Sequence, residues 1–189
     1  MSTSVKVFAS TDPGALVLSG TAGALSTLLK TYLVDGRGSG AVATLTVAAG
    51  TATATYGAGH PFAVGSVGEF AGATPSGLNG QKRILSVATD SVTFAAPGIA
   101  DGAATGSITS KLASAGWQQV FSATNVTCLK PSVVEATGCV LRIDDKGTTN
   151  ARVRAYEAMT DASTGVGPTP LESQLAGGLY WPKSSVANA

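Results

Sequence analysis

The sequence predicts a mainly β protein, in which a small β-barrel or sandwich module is inserted into a second β-layer that carries one N-terminal helix. Three observations lead there. Between Leu45 and Lys111, short apolar runs with the period of two of half-buried strands alternate with glycine and Asn-Gly turns. Only one stretch, Leu25 to Leu33, carries the spacing of a helix face. The 189 residues include 24 glycines and only 12 % charged side chains, against roughly a quarter charged in ordinary soluble domains. Such a turn-rich chain has little charge to spread over its surface, and its neutral Ser, Thr, Ala and Gly surface suits packing against neighbours.

Taken in order, Val5-Lys6-Val7-Phe8 predicts a short strand, closed by a turn at Thr11-Asp12-Pro13-Gly14. A second apolar run, Ala15 to Leu18, leads to a helix whose buried face is Leu25, Leu28, Leu29, Tyr32 and Leu33. Ser19 or Thr21 is placed to cap its first amides, and Gly36 to take the left-handed conformation after its end. Arg37-Gly38-Ser39-Gly40 reads as a flexible joint. Leu45–Val47 and Ala52–Tyr56 then flank Ala49-Gly50 as a hairpin. Further strands are expected at Val64–Ala71, Arg83–Val87, Ser91–Ala95 and Thr105–Lys111, with positive-φ turn positions at Gly65, Asn79-Gly80 and Asp101-Gly102. Tyr56, Phe62, Phe70 and Phe94 are spaced as core residues.

Beyond Gly116, Trp117, Val120 and Phe121 form an aromatic anchor. Cys139–Ile143 and Arg152–Tyr156 read as two strands joined by the polar turn Asp144 to Asn150. The tail, Gly165 to Ala189, is rich in Gly, Pro and Ser, a composition that stays disordered in isolation. The domain boundaries follow: residues 41–111 form the inserted barrel, and 1–40 with 112–189 the second layer.

The chemistry-bearing residues are few. Net charge is +1 with no basic cluster, whereas nucleic-acid binding draws on a basic stripe that releases counterions. The N-terminus shows no apolar signal region, and no apolar run approaches the ~20 residues of a membrane helix. Neither a nucleic-acid nor a membrane partner is expected. His60 is the sole histidine and reads as a turn residue on the barrel rim, leaving a nucleophile triad without support. Asp144-Asp145 reads as a solvated turn, since neighbours on a strand point to opposite faces and do not share a substrate. Cys128 and Cys139 have no partners for a zinc site; they read as two buried thiols, with a bond across a hairpin as the alternative. A phosphate-loop pattern is absent. No catalytic, metal or cofactor residue is expected. Arg152 and Arg154 project from one face of a strand and Arg142 from its neighbour, either as a clamp for a carboxylate patch on another subunit or as a solvated face. With Tyr180 and Trp181, which suit burial in a neighbouring subunit, they form the candidate interface.

The pattern Gly59-His60, Val64-Gly65, Gly72-Ala73-Thr74-Pro75, Leu78-Asn79-Gly80 and Val92-Thr93-Phe94 resembles a small β-barrel module of tailed-bacteriophage structural proteins, similar to the FCCH domain of ubiquitin-activating enzymes. The flanks, Val5-Lys6-Val7-Phe8, Leu18 to Gly23 and Tyr180-Trp181-Pro182-Lys183-Ser184, resemble a family of phage virion proteins, so the likeness covers most of the chain. The resemblance implies a virion component, made in the host cytoplasm, that packs against copies of itself and other virion proteins as capsid decoration or a tail or neck part. Nothing matches the adenylation or thiol-transfer residues of ubiquitin activation, so none of that chemistry carries over. The other readings are an adhesion module of a fibre that binds a host surface, and an envelope hydrolase, for which no acid-base pair is in view.

Overall fold

A computed structural model describes residues 2–174 and 180–183 of the chain. It divides into two compact units, Met1–Ala15 with Gly36–Ser114, and Leu16–Asp35 with Ala115–Ala189. The sequence places residues 1–40 and 112–189 together in the outer layer; residues 1–15, 36–40 and 112–114 instead belong to the first unit.

The first unit is a curled antiparallel sheet. Its strands are β1 (Arg37–Ala41), β2 (Thr44–Ala48), β3 (Thr51–Thr55), β4 (Val67–Ala71), β5 (Gly80–Val87), β6 (Ser91–Ala95), β7 (Gly102–Ala103) and β8 (Thr109–Leu112). They lie in the order β1-β8-β4-β5-β6-β3-β2-β7, and an irregularity between Ile84 and Ser86 bends β5 where the sheet turns. The β2–β3 hairpin closes through Ala49 (φ 49°) and Gly50 (φ 72°). Two left-handed residues match the right-handed strand twist, and Asp101 holds the strained alanine by accepting its N–H at 2.9 Å. Alternation along each strand sends Leu45, Val47, Ala52, Ala54, Val92 and Phe94 inward. Phe70 packs on Phe94 at 4.6 Å and on Phe62 at 6.2 Å between ring centroids, and Tyr56 lies 6.1 Å from Phe62.

Two expectations in this unit are corrected. The joint at Arg37–Gly40 is part of β1, because the β8 ladder orders a glycine-rich segment that its own side chains would not. Val5–Phe8 forms no strand. The carbonyls of Ser2 and Val5 accept hydrogen bonds of 2.7 Å from the Arg83 guanidinium, and that of Pro13 one of 2.7 Å from Arg37. With backbone acceptors satisfied by side chains, the segment needs no partner strand.

The second unit holds α1 (Ala24–Lys30), which widens into a single π-helical turn at Thr31–Asp35, and β9 (Trp117–Ala123), β10 (Val126–Pro131), β11 (Val140–Asp144), β12 (Asn150–Tyr156), β13 (Ala158–Met159), β14 (Gly165–Val166) and β15 (Tyr180–Pro182). Its main sheet runs β15-β12-β11-β10-β9, all antiparallel. One face carries Leu129, Ile143, Ala151 and Val153 against Leu25, Leu29 and Leu33. The opposite face carries Val126, Cys128 and Val140 beneath Phe121, Met159 and Ala162.

Candidate functional site

Strand alternation brings the three predicted arginines to one face of the second unit's sheet. Arg142 lies opposite Arg154, and Arg152 lies between Asp144 on one side and Tyr180 on the other. Like charges directly opposite repel, and the guanidinium groups are held by their own chain. Arg142 Nε donates to the Ala162 carbonyl at 2.7 Å and Nη2 to the Asp144 carboxylate at 3.1 Å. Arg154 donates to the Pro170 carbonyl at 3.1 Å and lies 5.6 Å from the Tyr156 ring centre; Arg152 sits 5.8 Å from that of Tyr180. The predicted grouping is present, and its hydrogen bonds fasten the 158–170 segment. Tyr180 and Trp181 remain 44 % exposed at the sheet edge. Of the tail Gly165 to Ala189, residues 175–179 and 184–189 lie outside the described residues.

The Asp144-Asp145 turn is corrected. Asp144 is partly buried against Arg142, but Asp145 keeps the phase of Ile143 and points to the helix side, where it is wholly buried. Its carboxylate meets the Lys183 ammonium at 2.5 Å, with both side chains at 0 % exposure. The ammonium also donates to the carbonyls of Thr21 at 2.9 Å and Gly147 at 2.7 Å, which satisfies its three protons. The other carboxylate oxygen accepts the Ser26 N–H at 2.9 Å. Asp145 therefore does the capping assigned to Ser19 or Thr21: the residue before α1 is left-handed Gly23 (φ 85°), with no side-chain cap of its own. Sequence reading missed both members of this pair. The one available signal was the even spacing of Asp145 from Leu141 and Ile143.

His60 behaves as expected. Its Nε2 lies 2.9 Å from the Ala88 carbonyl, and Nδ1 accepts the Phe62 N–H at 3.3 Å. Those contacts assign Nε2 as the protonated nitrogen, a turn-fixing role. Nearby, the buried Tyr56 hydroxyl pairs with Ser110 at 2.9 Å. Burial pushes the Tyr56 phenol above its usual value, and the Ser110 hydrogen bond pulls it partly back. A raised value means that the folded state holds the proton longer. The stability it contributes is complete below about pH 10, the unfolded value, and is lost as pH rises through the folded one. Tyr56→Phe is expected to flatten this alkaline loss in urea titrations, and to cost about 1 kcal/mol at neutral pH by leaving Ser110 unpaired.

The cysteines are both free, Cys128 buried and Cys139 exposed, which corrects the expectation of two buried thiols. Burial pushes the Cys128 thiol up, Arg142 pulls it down and Asp161 adds to the rise. Iodoacetamide is expected to label the native protein once, at Cys139, and Cys128 only after denaturation; early double labelling in peptide maps would contradict the burial.

Two further surfaces are chemically distinct. A cavity of about 580 Å³ in the second unit is lined by neutral groups that include Ser19, Thr27, Gln119, Ser122 and Asn125, with Lys30 as its charged residue. Lys30 is engaged by Asp35 at 2.5 Å. On the first unit, the outward residues of β2, β3 and β6 form rows of hydroxyls, Thr44–Thr55–Ser91 and Thr46–Thr53–Thr93, the latter continued by Ser86. Thr44 pairs with Thr55 and Ser86 with Thr93, each at 2.6 Å. These three strands contain no charged residue. Among the described residues, no group of three His, Cys, Asp or Glu side chains is placed to hold a metal. No family model matches the chain, and no curated protein or solved structure matches it at a significant level.

Proposed function

We propose that the chain is a non-enzymatic structural component of a tailed-phage virion, a capsid decoration or tail or neck protein, acting by multivalent packing against copies of itself and other virion proteins. The observation that carries this reading is the uncharged hydroxyl face of β2, β3 and β6. Thr44 hydrogen-bonds Thr55, and Thr93 hydrogen-bonds Ser86 of β5, so covering these hydroxyls strands fewer polar groups than covering ordinary polar surface. Many modest contacts of this kind, repeated by particle symmetry, add by avidity. The half-exposed Tyr180 and Trp181 at the edge of the second sheet supply anchors of the type that interfaces favour. Adhesion through the barrel is supported less well, because Tyr56, Phe62, Phe70 and Phe94 are all buried. Quantitative mass spectrometry of purified particles tests the reading. Hundreds of copies would place the protein on a capsid lattice or tail tube, six to a few dozen at the neck or baseplate, and absence from particles would end it. Thr46→Lys with Thr53→Lys is expected to lower incorporation; unchanged occupancy would remove this face from the account.

A further inference from the structure

We infer that the buried Lys183–Asp145 pair is the register key of the C-terminal strand: it selects how β15 lies on β12. β15 has three residues, sits at the sheet edge and leaves both its aromatic side chains half exposed, so little else in it specifies alignment. The observed register pairs Asn150 with Pro182, Ala151 with Trp181 and Arg152 with Tyr180. The Lys183 N–H donates to the Thr149 carbonyl at 2.9 Å. Alternation then makes Asn150–Pro182 a pair without ladder hydrogen bonds, where proline lacks no donor that the sheet needs.

Lys183 lies two residues beyond Trp181, and Asp145 two beyond Ile143, which places both on the helix side of the sheet. A one-residue slip would turn the ammonium to the opposite face and exchange the sides of Tyr180 and Trp181. It would leave the Asp145 carboxylate buried without its cation. A two-residue slip keeps the face but carries the ammonium roughly 6–7 Å along the strand, out of reach of Thr21, Gly147 and Asp145 together. Each misalignment therefore strands a buried charge, while the correct one satisfies every proton of the lysine. Buried ion pairs are commonly matched in stability by apolar replacements, so alignment is the contribution that is hard to replace.

The test uses the full chain carrying Cys139→Ser, Asn150→Cys and Pro182→Cys. The new cysteines face each other at a spacing that suits a disulfide only in the native register. In this background the bond is expected to form in full, as read by peptide mapping. With Asp145→Leu and Lys183→Met added, the melting temperature is expected to fall by no more than the loss of the Ser26 cap accounts for, while the native disulfide gives way to free and mispaired thiols. Lys183→Met alone is expected to melt well below both. Full native disulfide in the double variant would overturn the inference. So would a double variant that fails to fold or melts as low as the single one, since the pair would then be a plain stabilising contact.

Discussion

Lys183→Ala is expected to destabilise the second unit by about 3–5 kcal/mol, the range for removing one partner of a buried ion pair. The size follows from what remains. Asp145 is left without its cation at a site with no exposure, and the carbonyls of Thr21 and Gly147 lose their shared donor. The damage extends to the start of α1, because the same carboxylate holds the Ser26 N–H, while the Asp145 backbone bonds Asn125 and Gly23. Both tryptophans, Trp117 and Trp181, belong to this unit. Their fluorescence during urea unfolding is therefore the measurement to make, with the midpoint moving down and the slope unchanged. A shift under about 1 kcal/mol, the scale of an exposed pair, would mean that the pair is hydrated.

Phe70→Ala is expected to cost the first unit a similar amount, about 3–5 kcal/mol. Phe70 joins the rings of Phe62 and Phe94, and its edge lies over Gly68, where an added Cβ would come 2.9 Å from the Phe70 ring. The backbone there is already drawn close, so the void has little room to collapse, which places the cost at the high end for a truncation. Phe70→Leu keeps more of the volume and is expected to lose less. Thermal unfolding followed by far-ultraviolet circular dichroism separates the two. Equal losses would show that the ring contacts, and not the retained volume, carry the cost.

These predictions rest on different kinds of sequence signal. The strands of the first unit, β1 and β7 excepted, and its aromatic core were legible because alternation and turn chemistry are local. Ala49-Gly50, Gly65, Gly80 and Gly102 adopt the positive φ that their turns require, and Tyr56, Phe62, Phe70 and Phe94 are buried as their spacing implies. The helix was legible from its stripe, but its cap was not. Serine or threonine just upstream is the usual capping acceptor, and here a carboxylate 119 positions from Ser26 takes the role. In the same way the period of two placed Arg152 and Arg154 on one face of a strand, with Arg142 on its neighbour, while the acceptors of Arg142 and Arg154 at Ala162 and Pro170 lie in loops with no pattern to read.

The sequence by itself determined a mainly β architecture with one helix, the hairpin of β2 and β3, and which side chains of each strand turn inward. These depend on residues two to four positions apart, and the hydrophobic effect reads them without knowledge of the partner. Tertiary structure alone decided that Arg37–Ala41 becomes a strand, that residues 1–15 join the first unit, and that Asp145 and Lys183 meet. A β ladder, a guanidinium on a distant carbonyl and an ion pair spanning 38 positions each satisfy a polar group with a partner that chain folding brings near. Nothing in the local alternation of apolar residues records that partner.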